Sequence, residues 1–233
     1  MSNKLISIVI PTLNEEEGIA STIFSIPKKK LEEAGYKLQI LVIDNNSSDK
    51  TVELARIAGA EVIQESIKGV GIATKTGFRL SAGEIVVTAD GDGTYPLEIL
   101  PELLSKFVDC NLDFITTDRF SLGCNGVMPL RNKIGNGVLS QTLRLLFGIP
   151  IQDSQSGMMI FKKSILERLQ LKADIPLSQE MKIEACYFEK CKWMEVPIRY
   201  GKRLGESKLT NGLAGWKAGL GNLVHLFKKR IKR

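Results

Sequence analysis

No uninterrupted apolar stretch of this sequence approaches the ~20 residues needed to span a bilayer, so no membrane helix is expected. The opening run MSNKLISIVIPTLNEEEG reaches acidic residues too early for a secretory signal. Together these predict a cytoplasmic protein whose contact with a membrane, if it has one, is peripheral. Cysteine is scarce and unpatterned. Cys110, Cys124, Cys186 and Cys191 show no CxxC spacing, which argues for free thiols and against a zinc site or a disulfide framework. The only histidine, His225, lies far from every motif discussed below. Aromatic residues make up 6% of the chain and form no base-stacking cluster, so nucleic-acid binding has only the net charge of +6 in its favour. That charge suits a phosphate-rich ligand or an anionic membrane surface equally well. There is no Walker A loop, no complete Rossmann glycine fingerprint, no internal repeat and no low-complexity linker.

The 233 residues, 43% hydrophobic and 25% charged, suffice for one domain with a sizeable core. Apolar strands alternate with amphipathic helices. LISIVI, LQILVID, EVIQE, EIVVTAD and DFITTDR read as strands. Helices are expected over 15–34, with Asn14 as cap, over 47–58, stopped by Gly59, over 72–81 and over 97–108. Uninterrupted apolar strands in a β-α-β-α rhythm predict an α/β fold with a mostly parallel sheet covered on both faces. Ligands bind such sheets at the carboxyl ends of the strands. Past Asp118 the rhythm loosens, and 121–128 reads as an irregular loop. The main domain is expected to occupy 1–212. The tail 213–233 reads as a basic amphipathic helix, either an extension of that domain or a membrane-interface element.

In IVVTADGDGTYP a buried strand runs outward and ends in two carboxylates, Asp90 and Asp92. Carboxylates two residues apart, with a glycine between, can turn toward one hard divalent cation shared with substrate phosphates. The plainer reading is a turn, which favours Asp and Gly. The metal reading is preferred because unpaired charges at a buried strand end would otherwise repel. Two other strand ends lie on the same edge. Pro11, Asn14 and Glu15 follow the first strand, and Asp44 ends the second, where base or ribose contacts are expected; ordinary helix capping is the alternative for both. Lys68 stands beside a glycine-rich turn at a helix start, a possible anion site.

IVIPTLNEE, VIDNNSSDKT, TADGDGTYP, IQDSQSGMMIFKK and YGKRLGESKL, taken in order, resemble a family 2 glycosyltransferase, nearest to the dolichyl- or polyprenyl-phosphate mannose or glucose synthases. The resemblance implies a GT-A fold and a nucleoside-diphosphate sugar donor of the GDP-mannose or UDP-glucose type. It also implies Mg2+ or Mn2+ on Asp90 and Asp92, with the nucleotide lined by Pro11, Asn14, Glu15 and Asp44; Lys68, at the glycine-rich turn, and Asp90, at the metal, are expected to meet the same donor. The chain departs from the mannose synthases at Thr94, where those often carry Gln.

The later motifs suit a phosphate acceptor. Arg119, Arg131, Arg203, Ser207 and Lys208 are candidates for a lipid monophosphate, since arginine forks bind phosphate bidentately; a solvated basic surface is the alternative. The polar loop QDSQSGM is expected over the sugar, with Asp153 or Gln155 at its hydroxyls, and Glu180 is either a further sugar contact or a surface helix charge. The acceptor phosphate, already anionic near neutral pH, attacks the anomeric carbon with inversion and needs no strong base. Asp90, Asp92, Asp153 and Arg203 are assigned to catalysis. The expected partners are the nucleotide sugar, the polyprenyl or dolichyl phosphate, a membrane surface on its cytoplasmic side and a membrane-anchoring subunit, with no nucleic acid. No QxxRW signature is present, which argues against polysaccharide synthesis. The rival readings are an inactive membrane-associated binding subunit, a family 2 enzyme acting on another acceptor such as a glycan, and a sugar nucleotidyltransferase, whose glycine-rich basic loop is not seen after the first strand.

Overall fold

The computed structural model describes residues 4–124, 126–205 and 213–231, the stretch 213–218 as backbone only. Among these residues one sheet of seven strands is formed by β1 (Lys4–Thr12), β2 (Tyr36–Asp44), β3 (Glu61–Gln64), β4 (Ile85–Thr88), β5 (Phe114–Asp118), β6 (Met159–Lys162) and β7 (Trp193–Pro197), ordered β3-β2-β1-β4-β6-β5-β7. The helices are α1 (Ile19–Phe24), α2 (Lys28–Glu33), α3 (Thr51–Ile57), α4 (Val70–Leu80), α5 (Leu100–Asp109), α6 (Leu130–Phe147), α7 (Leu177–Ile183) and α8 (Leu213–Ile231).

Side chains alternate across a strand, so a strand apolar at every position must be covered twice. Ile6, Ile8 and Ile10 of β1 are fully buried on one face with Ile23 of α1, Leu31 of α2 and Leu104 of α5. Val9 turns to the other face with Phe78 of α4, Phe161 of β6 and Met181 of α7. Each such buried side chain contributes roughly 1.5–3 kcal/mol.

The sheet is mixed, a GT-A-like arrangement. β1 runs parallel to β2 and β4, whereas β6 lies antiparallel between β4 and β5. A reversed strand begins where its neighbours end. The loop that precedes β6, residues 152–158, is thereby placed on the same edge as the carboxyl ends of β1, β2 and β4.

The helix expected over 15–34 is two short helices. Pro27 precedes α2 and has no N–H with which to continue α1. Asn14 is not the cap: it has φ 51°, and its side-chain oxygen accepts from the Ser48 N–H at 2.7 Å. The start of α1 presses on the Asp90–Asp92 turn so closely that a Cβ on Gly18 would lie 2.7 Å from the Gly91 oxygen. The stretch expected as helix over 97–108 opens with a tight 3-10 turn, Leu97–Ile99, before α5.

The C-terminal helix both docks and leaves a stripe outside. Asn222, Leu226 and Lys229 of α8 turn inward, with Leu226 joining Leu139, Leu143 and Phe147 of α6 and Ile183 of α7. The stripe Leu220, Val224, Phe227 and Ile231 remains exposed. Among the described residues no helix is long and apolar enough to cross a membrane.

Candidate active site

β4 runs out at Thr88 with all four of its residues buried, and the chain turns at once through Asp90, Gly91 and Asp92. Asp92 is almost fully buried. One carboxylate oxygen accepts from the Thr94 N–H at 3.1 Å and from the Thr94 hydroxyl at 2.6 Å, and the other pairs with Arg203. Thr94 is therefore spoken for as the donor that orients Asp92. The second fork nitrogen of Arg203 pairs with Glu15, at the exit of β1.

Arg203 reaches this point because its segment returns over the turn, with Gly201 N–H donating to the Thr94 carbonyl at 2.8 Å and Leu204 N–H to the Asp92 carbonyl at 2.9 Å. Asp90 stands beside them, and among the described residues nothing donates a hydrogen bond to its carboxylate. Burial, then the neighbouring charges of Asp92 and Glu15, push its pKa up to about 7, against the pull of Arg119 and Arg203.

The loop before β6 forms the opposite wall. Asp153 is fully buried and holds the Arg119 guanidinium in a bidentate pair, at 2.6 and 3.0 Å. Burial works against its charge, but Arg119 prevails and keeps Asp153 below the ordinary carboxylate range. The guanidinium also lies over the Tyr200 ring, 5.2 Å from its centroid. Gly157 follows, its N–H donating to the Tyr95 hydroxyl at 2.7 Å; a Cβ there would stand 3.4 Å from an Asp90 oxygen.

The residues expected at the nucleotide lie at the exits of β1 and β2 and on the loop after β3. Asp44, at the end of β2, is buried and accepts from the Ser47 N–H at 3.3 Å. Asn14 accepts at Ser48 and its N–H donates to the Ser47 hydroxyl at 2.8 Å, so the exits of β1 and β2 are stapled together. Pro11 sits opposite Ile43 in the register. Lys68 is exposed on a loop that Asn45 organises through the carbonyls of Glu65 and Ile67. The helix start beside Lys68 offers no vacant anion site: Asp174 already accepts from the Ile72 N–H at 2.9 Å, as close as Gly69 and Gly71 permit.

Three expectations need correction. The cations do not form one open cluster, because Arg119 is committed to Asp153 and Arg203 to Glu15 and Asp92, while Arg131 stands exposed in the first turn of α6. Glu180 is neither a surface charge nor turned outward. It is 1% exposed and accepts from the Ala173 N–H at 2.7 Å and from Lys229 of α8 at 2.8 Å. Gln155 points its amide inward, donating to Gln179 at 2.6 Å and accepting from Asn222 of α8 at 3.2 Å. Ser207 and Lys208 lie outside the described residues.

Sequence reasoning passed over Lys182, Gln179, Asn222 and Tyr95. The Lys182 ammonium, fully buried, donates to the Asp153 and Ser156 carbonyls at 2.8 Å each and so pins the loop from beneath. Only Tyr95 carried a signal, lying within the TADGDGTYP motif.

Asp90 and Asp92 are the hard oxygen donors that Mg2+ or Mn2+ prefers. Among the described residues no three His, Cys, Asp or Glu side chains gather to hold an ion unaided. Burial first, and then repulsion from Asp92 and Glu15, disfavour the Asp90 charge, and a bound divalent ion would offset both.

The model of the family described as "Glycosyl transferase family 2" matches residues 7–170. A dolichyl-phosphate hexose transferase of Haloferax volcanii is 30% identical over 227 residues, 97% of this chain and 96% of that protein. A UDP-N-acetylglucosamine–dolichyl-phosphate N-acetylglucosaminyltransferase of Methanococcus voltae is 30% identical over 197 residues, 74% of this chain and 76% of that one. Among solved structures, glucosyl-3-phosphoglycerate synthase of Mycobacterium tuberculosis, crystallised with Mn2+, UDP and glucosyl-3-phosphoglycerate, superposes with a TM-score of 0.73 at 21% identity, over 97% of this chain and 80% of that one; it speaks for the fold alone. A carboxylate pair at the end of β4, walled by a polar loop on a mixed sheet, thus coincides with a family match over most of the chain: the protein belongs to glycosyl transferase family 2 and is a glycosyltransferase.

Proposed function

We propose that the chain transfers a hexose from a nucleoside-diphosphate sugar to a polyprenyl or dolichyl phosphate, with inversion and with a divalent cation, at the cytoplasmic surface of a membrane. The observation that carries this reading is the meeting of Glu15, from the exit of β1, with Asp90 and Asp92, from the exit of β4, where Arg203 pairs with Glu15 and Asp92 and, among the described residues, nothing donates a hydrogen bond to the Asp90 carboxylate. Such a site asks for more positive charge than the described chain supplies, as a cation-bound diphosphate would bring. The lipid acceptor is supported by the Haloferax relative, whose printed name is that of a dolichyl-phosphate hexose transferase and whose match runs nearly end to end.

In this reading Asp90 and Asp92 hold Mg2+ or Mn2+, which when bound neutralises charge on the departing diphosphate. Arg203, already at Asp92, is placed to meet the same diphosphate. Pro11, Asn14, Glu15 and Asp44 line the nucleoside, with Lys68 at the rim. The loop around Asp153 shapes the sugar side. Asp153 is paired through both oxygens, so it positions Arg119 and does not act as a base. The arginine then presents its remaining N–H groups toward an acceptor phosphate, with Arg131 farther out. That phosphate is anionic near neutral pH and attacks without being deprotonated.

The test is a screen of radiolabelled nucleotide sugars against a polyprenyl phosphate, with and without chelator. The expected product is a lipid-linked sugar whose formation stops when divalent ions are removed and resumes with Mn2+. Transfer to a soluble glycan alone, or transfer indifferent to chelation, would overturn the reading.

A further inference from the structure

Asp44 is followed by two asparagines that no step of the transfer uses. Asn45 is 5% exposed, and its amide is engaged wholly on backbone. Its NH2 donates to the Glu65 carbonyl at 3.0 Å and to the Ile67 carbonyl at 2.8 Å, and its oxygen accepts from the Gly69 N–H at 2.8 Å. An asparagine amide has two N–H donors and one acceptor oxygen, so every polar group of the side chain is in use. Asn46, beside it at the surface, donates to the Glu65 and Ser66 carbonyls at 3.0 and 3.2 Å. Glu65 completes the wiring, its carboxylate accepting from the Ile67 N–H at 2.9 Å and from the Thr76 hydroxyl at 2.6 Å.

The loop held in this way, residues 65–69, follows β3. Gln64, the last residue of β3, lies opposite Asp44 in the register, and the Glu65 N–H donates to the Asp44 carbonyl at 2.8 Å. The Asn45 N–H donates in turn to the Thr12 carbonyl at 2.8 Å, so one residue ties together the exits of β1, β2 and β3. Holding a surface loop in one conformation costs entropy. What this loop holds out is Ile67, 62% exposed, and then Lys68, exposed as well. An apolar side chain fixed in water beside a cation adds little to the core. It suits a ligand that brings a flat, weakly polar body together with negative charge, and a nucleoside diphosphate has both. A loop set in advance also loses less entropy when such a ligand arrives.

We propose that Asn45 is a positioning residue for the nucleotide donor, acting through the loop 65–69 so that Ile67 and Lys68 stand ready beside Asp44. Asn46 is the outer half of the same hold. The inference deepens the proposed function and rests on its assignment of the donor to this edge of the sheet. Asn45→Asp is the sharpest perturbation. It keeps the size of the side chain and the oxygen that accepts from Gly69, but sets a carboxylate oxygen against the Glu65 and Ile67 carbonyls.

The experiment is calorimetric titration of the full chain with UDP and with GDP, in the presence of Mn2+, for the wild type, Asn45→Asp and Asn46→Gly. Asn46 has φ 70°, so glycine retains its backbone conformation and deletes only the amide. For whichever nucleotide the wild type binds, Asn45→Asp should weaken affinity about tenfold or more and Asn46→Gly about threefold. In transfer assays donor KM should rise in step, while kcat and acceptor KM stay within about twofold of the wild type. The deciding comparison repeats Asn45→Asp in an Ile67→Ala/Lys68→Ala chain, where the loop has nothing left to present. There it should cost less than about twofold, because changes that act through one contact are not additive. An equal loss in both backgrounds, or a loss in kcat in place of donor KM, would overturn the proposal and leave Asn45 a support of the fold. Undiminished affinity in Asn45→Asp would overturn it too. Should Asn45→Asp fail to fold, Asn46→Gly in the same two backgrounds decides the matter by the same criteria. A wild type that binds neither nucleotide would instead overturn the donor assignment, and this inference with it.

Discussion

Lys182→Met tests how the loop that bears Asp153 is held. The side chain is fully buried, and its ammonium donates to the Asp153 and Ser156 carbonyls, both at 2.8 Å. Burial lowers its pKa from 10.5 to about 8, against the pull of Asp153. Below pH 8 the folded and unfolded chains both hold the proton, and the cost of burying the charge is fully present. Between pH 8 and 10.5 the unfolded chain keeps a proton that the folded chain has released, so stability rises with pH across that window. The difference, 10.5 minus about 8, at 1.36 kcal/mol per pH unit amounts to ~3 kcal/mol.

Methionine does not titrate, so the variant lacks this rise. It also strands two carbonyl oxygens, at ~1–3 kcal/mol each, partly offset by relief of the buried charge. The variant should therefore be less stable by only about 1 kcal/mol near neutral pH, where the two effects largely offset each other. The deficit should widen by a further ~3 kcal/mol as the pH approaches 10.5. Urea melts of both proteins across the window measure this, and taking the difference between them cancels groups common to both. Transfer by the variant should fall in kcat more than in donor KM, because the loosened loop positions Asp153 and Gly157 and binds no nucleotide. A deficit that stays constant or shrinks with pH would refute the buried-charge account, and an unchanged kcat would remove Lys182 from the positioning of the loop.

Asp92→Asn should abolish transfer with melting behaviour retained, because Asn keeps the shape at Thr94 but gives up a charged ligand; full activity in excess Mn2+ would sink the metal assignment. Arg203→Ala should tighten Mn2+ binding in the absence of nucleotide by freeing Asp92, yet raise donor KM by about tenfold or more, since one charge-assisted contact is worth roughly 1.5–3 kcal/mol. A rise confined to acceptor KM would return Arg203 to the acceptor side. Gly157→Ala places a methyl group 3.4 Å from an Asp90 oxygen and should lower transfer about tenfold while moving Tm by no more than a few degrees; a wild-type rate would show that the Asp90 carboxylate has room to spare.

Much of this protein was legible in its linear order. β1, β2 and β4 each hold an unbroken apolar run, Ile8–Ile10, Ile40–Ile43 and Ile85–Val87, and runs that short between turn signals suit strands covered on both faces. Their carboxyl ends carry Asp44, Asp90 and Asp92 because the apolar runs of β2 and β4 stop there. The Asp90–Asp92 turn and the polar loop 152–158 were visible for the same reason. What the order could not convey was direction and depth. Four residues of β6 read the same in either orientation, and only its register against β4 and β5 made it antiparallel and carried the preceding loop to the site. Glu180, Lys182 and Lys229 look like surface charges on amphipathic segments, yet all three turn inward, because their partners are supplied by chain about 7 to 49 positions away. Arg203 reaches Glu15 across 188 positions. Such pairings depend on where the backbone returns. The apolar periodicity of a sequence sets which apolar residues are buried, but a charge can be buried only where another segment brings it a counter-charge or hydrogen-bonding backbone, and that is decided when the helices and the sheet close on one another.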